Sequence, residues 1–268
     1  MTARPLRLTL ALAALLVATS GIAGEREDNR ADNALRVMRE IQAVPDNSIP
    51  DRLLDEARGI IVIPDTIKAG FVIGGRRGLG LMSVKNPDGS WSNPVFVKLT
   101  GASVGFQAGV QSADVILVFR SERGLDNIIN GKVTLGADAS VAAGPVGRNA
   151  AAATDGSLKA EIWSWSRARG LFAGVALDGA ILQIDHGANR SAYGYGITPR
   201  MVFEGRTPQA ASPPIVAFRD ELEEATTAAR NSRRGSAPPA ASSSTSAHPL
   251  DSQAPASSTP LPEPATRP

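Results

Sequence analysis

The sequence of 268 residues contains no cysteine, two histidines and few aromatic side chains, which make up 4% of the chain. The absence of cysteine excludes a disulfide scaffold, a thiol nucleophile, a cysteine zinc site and a lipid-modified N-terminal cysteine. Two histidines leave little room for metal ligation by imidazole. His186 and His248 have no partner at ligand spacing, so we expect both to face solvent and we expect no metal or cofactor.

No apolar run is long enough to cross a membrane as a helix. The longest, Leu8–Val17, is about half of the roughly 20 residues that such a helix needs. It follows Arg4 and Arg7 and precedes small residues that end at Ala23, which is typical of an export signal. The sequence therefore predicts a signal peptide over 1–23 and a periplasmic or envelope-associated protein. An uncleaved anchor is the alternative interpretation.

The chain also has little excess of positive charge, although its pI of 9.2 suggests a strongly basic protein. The chain has 28 Lys and Arg against 26 Asp and Glu. Removal of the predicted signal peptide removes Arg4 and Arg7, which leaves 26 positive against 26 negative side chains. A neutral protein has no global field that steers it to a polyanion. We therefore expect no nucleic-acid partner, and positive charge that is local, between Lys68 and Lys98.

Composition divides the chain into four parts. After the signal peptide, residues 24–203 carry the periodic apolar pattern of a folded domain. Residues 204–234 read as a linker with a short charged helix, which packs on the domain or forms a stalk. Residues 235–268 are rich in Pro, Ala, Ser and Thr, a composition that predicts a disordered tail.

The folded part begins with two helical patterns. In the first, Ala34, Val37, Met38 and Ile41 share one helical face. Pro45 ends this helix, and a second one runs from about Ser48 to Gly59, with Leu53, Leu54 and Ala57 as its buried side.

Beyond Gly59 the apolar period changes from 3.6 to 2, and short strands follow one another with few helices between them. Asn86-Pro-Asp-Gly predicts a turn, and residues 121–130 predict one short internal helix. Val104 to Gln111 alternates as a single half-buried strand. These patterns predict an α+β fold: a curved or barrel-like, mostly antiparallel β core with two N-terminal helices and one short internal helix.

One motif raises the question of catalysis. Gly101-Ala-Ser103-Val-Gly105 matches the nucleophile elbow of hydrolases, and Asp155, Asp178 and His186 follow in triad order. An elbow must open into a helix, whereas the residues after Ser103 alternate with period 2. We therefore interpret the match as coincidental and expect no enzyme.

Two features are candidates for ligand contact. Gly74–Gly80 reads as a turn between two strands that exposes Arg76 and Arg77, and such cations can contact anionic head groups; Gly144–Arg148 reads as a similar turn. Trp163 and Trp165 share one face of a strand, where core packing is the default and an apolar ligand groove the alternative.

An ordered set of short motifs resembles the SYLF-domain family. The matching segments, between about Pro50 and Tyr195, are Ala57–Pro64, Lys68-Ala-Gly-Phe, Gly78-Leu-Gly, Trp91-Ser-Asn-Pro, Gly105–Gly109, Ala143–Arg148, Ser164–Gly174, and Tyr193 with Tyr195. The resemblance implies a non-enzymatic domain that binds membrane lipid, phosphoinositides in eukaryotic members, with actin binding in some. Trp163 and Trp165 stand where the family commonly has tyrosine.

These observations lead to one functional hypothesis and one rival. The first is a lipid-binding protein of the bacterial envelope that contacts anionic phospholipid at a membrane surface through a local basic patch. Its expected contacts are Lys68, Arg76, Arg77, Lys85 and Lys98. The rival is a structural or adaptor protein of the envelope that binds a protein partner or itself.

Overall fold

The computed structural model describes residues 24–44, 48–70, 73–104, 109–146, 160–168 and 171–235. They form the predicted α+β fold, with a curled and mostly antiparallel sheet flanked by helices. The predicted signal peptide and most of the Pro-rich tail lie outside the described residues, as do Arg148, Asp155 and His248.

Within the described part of the chain, nine strands form one sheet. In chain order they are β1 (Gly59–Gly70), β2 (Ile73–Val84), β3 (Val95–Val104), β4 (Gly109–Phe119), β5 (Lys132–Thr134), β6 (Val141–Ala143), β7 (Ile162–Ala168), β8 (Leu171–Gly174) and β9 (Ile181–Ile184). Their order across the sheet is β5-β9-β3-β2-β1-β4-β7-β6. β6 and β8 pair with successive parts of β7, β6 in parallel and β8 antiparallel.

Six helices accompany the sheet in the described part of the chain. They are α1 (24–42), α2 (Asp51–Glu56), α3 (Glu122–Ile129), α4 (His186–Tyr193), α5 (Pro199–Phe203) and α6 (Pro213–Gly235). The predicted N-terminal pair and the internal helix correspond to α1, α2 and α3. The sequence patterns did not predict α4 and α5.

Local signals in the sequence explain several element boundaries. Ser121 is the N-cap of α3, and its hydroxyl accepts a hydrogen bond from the Arg123 amide at 3.2 Å. The predicted turn at Asn86 is confirmed, since the Gly89 amide donates to the Asn86 carbonyl at 2.9 Å. Gly89 has a φ of 90°, which glycine adopts without strain.

The predicted apolar face of α1 is buried in the core. Ala34, Val37, Met38 and Ile41 are each 0% exposed. Arg30, on the same helix, places its guanidinium 5.4 Å from the centre of the Phe96 ring in β3. The helix therefore lies on the sheet face that carries Phe96, and its apolar side is occupied by the protein itself.

A bulge in β1 changes which side chains face α1. The pairing of β1 with β4 shifts register between Ile63 and Thr66, so that β1 holds one extra residue. At the bulge, Asp65 has a φ of 47°, and its amide donates to Oδ1 of the buried Asp114 at 3.0 Å. Because side chains alternate along a strand, the extra residue turns Ile67 toward the α1 side and Lys68 away from it.

The structure corrects the predicted turn at Gly74–Gly80, which lies inside β2. Arg76, for example, pairs with Lys68 of β1 and with Gly101 of β3. Gly78 and Gly80 have a packing cause, since a Cβ on Gly78 would lie 2.5 Å from the Ile63 side chain, and one on Gly80 would lie 2.2 Å from the Val62 carbonyl oxygen. Glycine therefore serves close strand approach here rather than chain reversal.

The predicted single strand from Val104 to Gln111 is also wrong. Val104 ends β3 and Gly109 begins β4, and these strands are separated in the sheet by β2 and β1. Both strands alternate with the same period, so the pattern does not reveal the change of strand.

The charged helix near the C-terminal end packs on the domain, which decides between the two alternatives left open by the sequence. It is α6, with 23 residues, and it buries Ile215, Phe218 and Leu222. The Trp91 indole donates to the Thr226 hydroxyl at 3.0 Å, and the Trp91 amide donates to the Glu223 carboxylate at 3.0 Å.

Candidate functional site at one end of the sheet

Two of the predicted lipid contacts, Lys68 and Arg76, lie side by side. They are opposite each other in the β1–β2 pair, so their side chains project from the same sheet face. Both are half-buried, and neither has an ion-pair partner among the described residues. Partial burial lowers the pKa of the Arg76 guanidinium below its ordinary value, and no carboxylate in the described residues offsets that cost.

Arg77 and Lys98 lie on the opposite face, toward α1. Arg77 is exposed and pairs across the strands with Ile67 and Thr100. The Lys98 ammonium is 4.0 Å from the Asp185 carboxylate, which also receives Arg30 at 3.3 Å. Lys98 is therefore partly engaged within the fold, whereas Arg77 has no ion-pair partner in the described ranges.

Lys85 lies elsewhere. It follows the far end of β2, nine positions from Arg76, which corresponds to about 30 Å along a strand. Its ammonium donates to the carbonyls of Leu54 at 3.3 Å and Asp55 at 2.9 Å, and lies 5.3 Å from the Trp91 ring centre. It therefore caps the last turn of α2.

Burial is the main cause that lowers the pKa of Lys85 to about 8, and the nearby Arg230 adds to it. The five predicted cations thus do not form one continuous patch, because tertiary structure separates residues that are close in the sequence. The contact of each with lipid stays a prediction.

Exposed apolar side chains lie beside the cations at one end of the sheet. Ile67 is 51% exposed, and Val110, whose strand neighbour is Ala69, is 74% exposed. We call Ile67, Lys68, Arg76, Arg77 and Val110 the distal edge. Cations that flank exposed apolar side chains are the composition expected of a membrane-surface contact.

A groove of about 340 Å³ lies between α1 and the β1–β2 pair, next to the distal edge. Its lining residues, which define the α1 groove, are Arg26, Asn29, Arg30, Asn33, Pro64, Asp65, Ile67, Arg77, Gly78 and Leu79. The sequence indicated Arg77 but not Arg26, because the mixed charges of α1 gave no sign of a binding face. The one local signal for the groove was Pro64-Asp65 inside an apolar strand, because a proline at such a position is typical of a β-bulge.

A network of charged side chains fixes α1 on the sheet next to this groove. Arg36 and Glu40 of α1 pair with each other at 3.0 Å, and Arg167 of β7 contacts both Glu40 and Asp114. Burial raises the pKa of the Asp114 carboxyl above its usual range, although the Asp65 amide and Arg36 oppose the shift. The groove thus has one wall that is held by ion pairs rather than by apolar contact alone.

Of the residues that suggested catalysis, Ser103, Asp178 and His186 lie in the described part of the chain, whereas Asp155 does not. Ser103 lies within β3, and the next described residues belong to β4, so the elbow's helix is not present in the described chain. His186 is exposed at the first turn of α4. Over the described ranges, no group of three or more His, Asp or Glu side chains could hold a metal ion. In those same ranges, no helix has the length and apolarity that crossing a membrane requires.

Trp165 belongs to the core rather than to a ligand groove. It is 0% exposed, and its indole donates to the Pro145 carbonyl at 3.3 Å. Gly144 lies against the ring, and Gly174 lies against the Gly144 backbone, so both glycines permit close approach. Trp163 is half-buried against the same core.

Several motif residues hold elements together. The Ser92 hydroxyl accepts from the Val84 amide at 3.0 Å, Asn93 accepts from Arg219 of α6 at 3.1 Å, and the buried Tyr193 hydroxyl donates to the Pro94 carbonyl. The Trp91–Pro94 motif therefore joins β2, α4 and α6.

Comparison with known proteins shows which sequences this chain is similar to. Residues 100–225 match the Ysc84 family model, which is described as Las17-binding protein actin regulator. The span begins within β3 and ends within α6. It contains β4, β7 and part of α6, and it includes neither α1 nor any part of the β1–β2 pair.

Curated proteins match over a longer span. Protein YSC84 of Saccharomyces cerevisiae is 37% identical over 173 residues, 63% of this chain and 37% of that protein. LAS seventeen-binding protein 3 of the same species is 35% identical over 173 residues, 63% of this chain and 38% of that protein. The human SH3 domain-containing YSC84-like protein 1 is 32% identical over 189 residues, 68% of this chain and 55% of that protein.

The fold and these matches together define the class of the protein: it is an α+β domain of the Ysc84 type. The chain carries a domain of the Ysc84, or SYLF, family, as the sequence motifs predict. It spans about two fifths of the length of the yeast relatives and about half of the human one.

Proposed function

We propose that this protein is a non-enzymatic module that binds the surface of a membrane containing anionic phospholipid. The observation that carries the proposal is the distal edge. There Lys68, Arg76 and Arg77 lie next to the exposed Ile67 and Val110 without ion-pair partners in the described residues. Each cation near an anionic surface contributes roughly 1 kcal/mol, and two apolar side chains in the interface add to that attraction.

The structure limits how such binding takes place. Because the apolar face of α1 is buried, its insertion into a bilayer would remove Val37, Met38 and Ile41 from the core and expose the core residues beneath them to water. The distal edge needs no such rearrangement, since Ile67, Arg77 and Val110 are already exposed and Lys68 and Arg76 are partly exposed. Docking of a preformed edge is therefore our proposed mode of contact.

We further propose that the protein acts at a bacterial envelope. This proposal rests on the predicted export signal in residues 1–23, with its short basic start and apolar run. Fractionation of bacteria that express the whole chain tests it. Export predicts a shorter mature protein in the periplasmic or envelope fraction, and a full-length protein confined to the cytosol would contradict it.

Vesicle flotation tests the lipid proposal. Residues 24–268 are mixed with vesicles of phosphatidylcholine, or of phosphatidylcholine with phosphatidylglycerol, at low and high salt. We expect retention on the anionic vesicles, with a decrease at high salt because charge attraction is screened. No retention on either composition would overturn the proposal.

A second candidate function is the binding of a protein partner, favoured by the family description and by the name of a yeast relative, both of which refer to Las17 binding. The matched span contains Tyr195, which is 82% exposed and lies over Arg190, with the guanidinium 5.6 Å from the ring centre. Tyrosine and arginine are enriched in interface hot spots.

A cross-linking and pull-down experiment from an envelope extract tests this second function. The baits are the wild type, Tyr195→Ala and a chain shortened at Gly235. A partner that is identified by mass spectrometry and lost in Tyr195→Ala supports a contact through this surface. Equal capture by all three baits would rule out both Tyr195 and the tail as the contact.

A further inference from the structure

We propose that the α1 groove is a binding site for the phosphodiester head group of an anionic glycerophospholipid. This inference rests on the proposed lipid binding and assigns it a defined site. The groove adjoins the distal edge because the two share Ile67 and Arg77. A membrane that contacts the edge thus places a lipid head group at the mouth of the groove.

The groove has the charge that a phosphate needs. Arg26 of α1 and Arg77 of β2 line opposite walls, and neither has an ion-pair partner in the described part of the chain. Arginine binds phosphate through two parallel N–H donors, which lysine cannot match. Arg30 also lines the groove, but its guanidinium is engaged by Asp185. Asp65 is the one carboxylate in the lining, so the groove is cationic on balance.

The remaining lining suits the other parts of a head group. Asn29 and Asn33 lie on successive turns of α1 and offer amide donors and acceptors to a glycerol hydroxyl or a phosphate oxygen. Pro64, Ile67 and Leu79 provide an apolar side for the glycerol backbone and the first methylenes. Polar donors on one wall and apolar contacts on the other match the two ends of an amphiphile.

The size of the groove selects a head group over a whole lipid. Its volume of about 340 Å³ is at the lower limit of small-molecule pockets, which span roughly 300–1,000 Å³. The acyl chains of a phospholipid do not fit, so they must remain in the bilayer. The site therefore works at a membrane surface and does not extract lipid from it.

Two exposed positions allow the site to be tested without disturbing the core. Arg26→Ala removes one phosphate donor, whereas Asn33→Trp fills the groove and leaves the net charge unchanged. Both side chains are exposed, so we expect both variants to fold. Arg39→Ala is the matched control, because it removes a cation from the same helix outside the groove, where Arg39 pairs with Glu221 at 2.8 Å.

The affinity of each protein for vesicles of phosphatidylcholine with phosphatidylglycerol is measured by titrated flotation, and folding is checked by circular dichroism. We expect Arg26→Ala to weaken binding by about tenfold, the value of one charged hydrogen-bond pair. We expect Asn33→Trp to weaken it at least as much, because the indole occupies the groove. Arg39→Ala should bind like the wild type.

The outcomes separate the two proposals. If the wild type does not bind anionic vesicles, lipid binding itself fails. If the wild type binds and Asn33→Trp binds equally well, the groove is not the head-group site, whereas the distal edge still explains binding. If Arg39→Ala loses as much affinity as Arg26→Ala, the effect comes from net charge and the groove proposal is wrong.

Discussion

Lys85 illustrates how tertiary contacts redefine a single residue. In the sequence it lies among the cations expected to contact lipid, but in the fold its ammonium caps α2 and lies beside the Trp91 ring. Its neighbours Arg58 and Arg230 disfavour the charged form, whereas Asp55 and Glu223 favour it. The half-buried Lys85 ammonium therefore has a structural role, and its loss of a proton should affect the stability of the fold.

The pH dependence of stability should report this titration. Burial lowers the pKa of Lys85 to about 8 in the folded state, below its ordinary value of 10.5, so the unfolded chain binds the proton more strongly. The free energy of unfolding should therefore rise as the pH increases from about 8 to about 10. We expect urea denaturation to show this rise in the wild type and a smaller one in Lys85→Met.

Tyr193 limits the pH range of this measurement, and Lys132 provides its control. Burial raises the pKa of Tyr193, so ionisation of this tyrosine in the unfolded chain lowers stability above pH about 10, which sets the upper limit of the measurement. Lys132→Met, at an exposed lysine of β5, is the control and should keep the wild-type rise. An identical rise in Lys85→Met would show that another group causes it.

Gly144 is a residue at which even a methyl group should destabilise the fold. A Cβ at this position would lie 2.0 Å from Cε2 of the buried Trp165 ring. Gly144→Ala should therefore lower the free energy of unfolding by about 1–3 kcal/mol through overpacking. Urea denaturation followed by tryptophan fluorescence measures it.

Gly131→Ala provides the comparison, because a Cβ there meets nothing within 4 Å. It should stay within about 0.5 kcal/mol of the wild type. If Gly144→Ala is equally stable, Trp165 has space to move and the close packing described above is incorrect.

Among the elements, α6 shows what a local pattern does not reveal. Its sequence is charged, and the pattern predicted a helix without indicating what it contacts. Trp91 and Thr226 meet across 135 positions of sequence, which periodicity cannot detect. The helix is nonetheless part of the core, with Phe218 and Leu222 at 0% exposure.

This packing predicts a large stability difference between two faces of α6. Leu222→Ala should lower the free energy of unfolding by about 2–5 kcal/mol, because it leaves a cavity under the helix. Thr227→Ala, on the exposed face, should change it by less than about 0.5 kcal/mol. Similar values for the two variants in a urea titration would mean that α6 does not stabilise the domain.

The elements that could be predicted from the sequence are those with local causes. The apolar face of α1, the Ser121 cap of α3 and the turn at Asn86 each depend on residues within a few positions. The β1 bulge involves Asp114, which is 49 positions from Asp65, and the glycine at position 80 of β2 is explained by its close approach to Val62 of β1. These contacts do not appear in any local window.

The candidate site follows the same division. Arg76 and Arg77 could be selected as cations in a glycine-rich segment, because both facts are local. Their projection from opposite faces follows from the register with Lys68 and Ile67, and the contribution of Arg26 follows from where α1 crosses the sheet. Both are long-range features, so the sequence indicated the cations but not the groove.

In the molecule as a whole, a nearly balanced set of charges is unevenly distributed. Several ion pairs join separate elements, for example Arg120, which follows β4, to Glu56 of α2 at 2.6 Å, and Arg230 of α6 to Asp55 of α2 at 3.3 Å. Lys68, Arg76 and Arg77 have no such partner among the described residues, and they lie together at one end. The attraction of this protein for an anionic surface should therefore depend on the distal edge more than on net charge.

Flotation of two variants with equal charge tests this claim most directly. One carries Lys68→Ala, Arg76→Ala and Arg77→Ala in the distal edge. The other carries Arg123→Ala, Lys132→Ala and Arg200→Ala, three exposed cations on α3, β5 and α5. On vesicles of phosphatidylcholine with phosphatidylglycerol, we predict that the distal-edge variant loses retention and that the control variant floats like the wild type. Equal retention of the two variants would contradict a membrane contact through the distal edge.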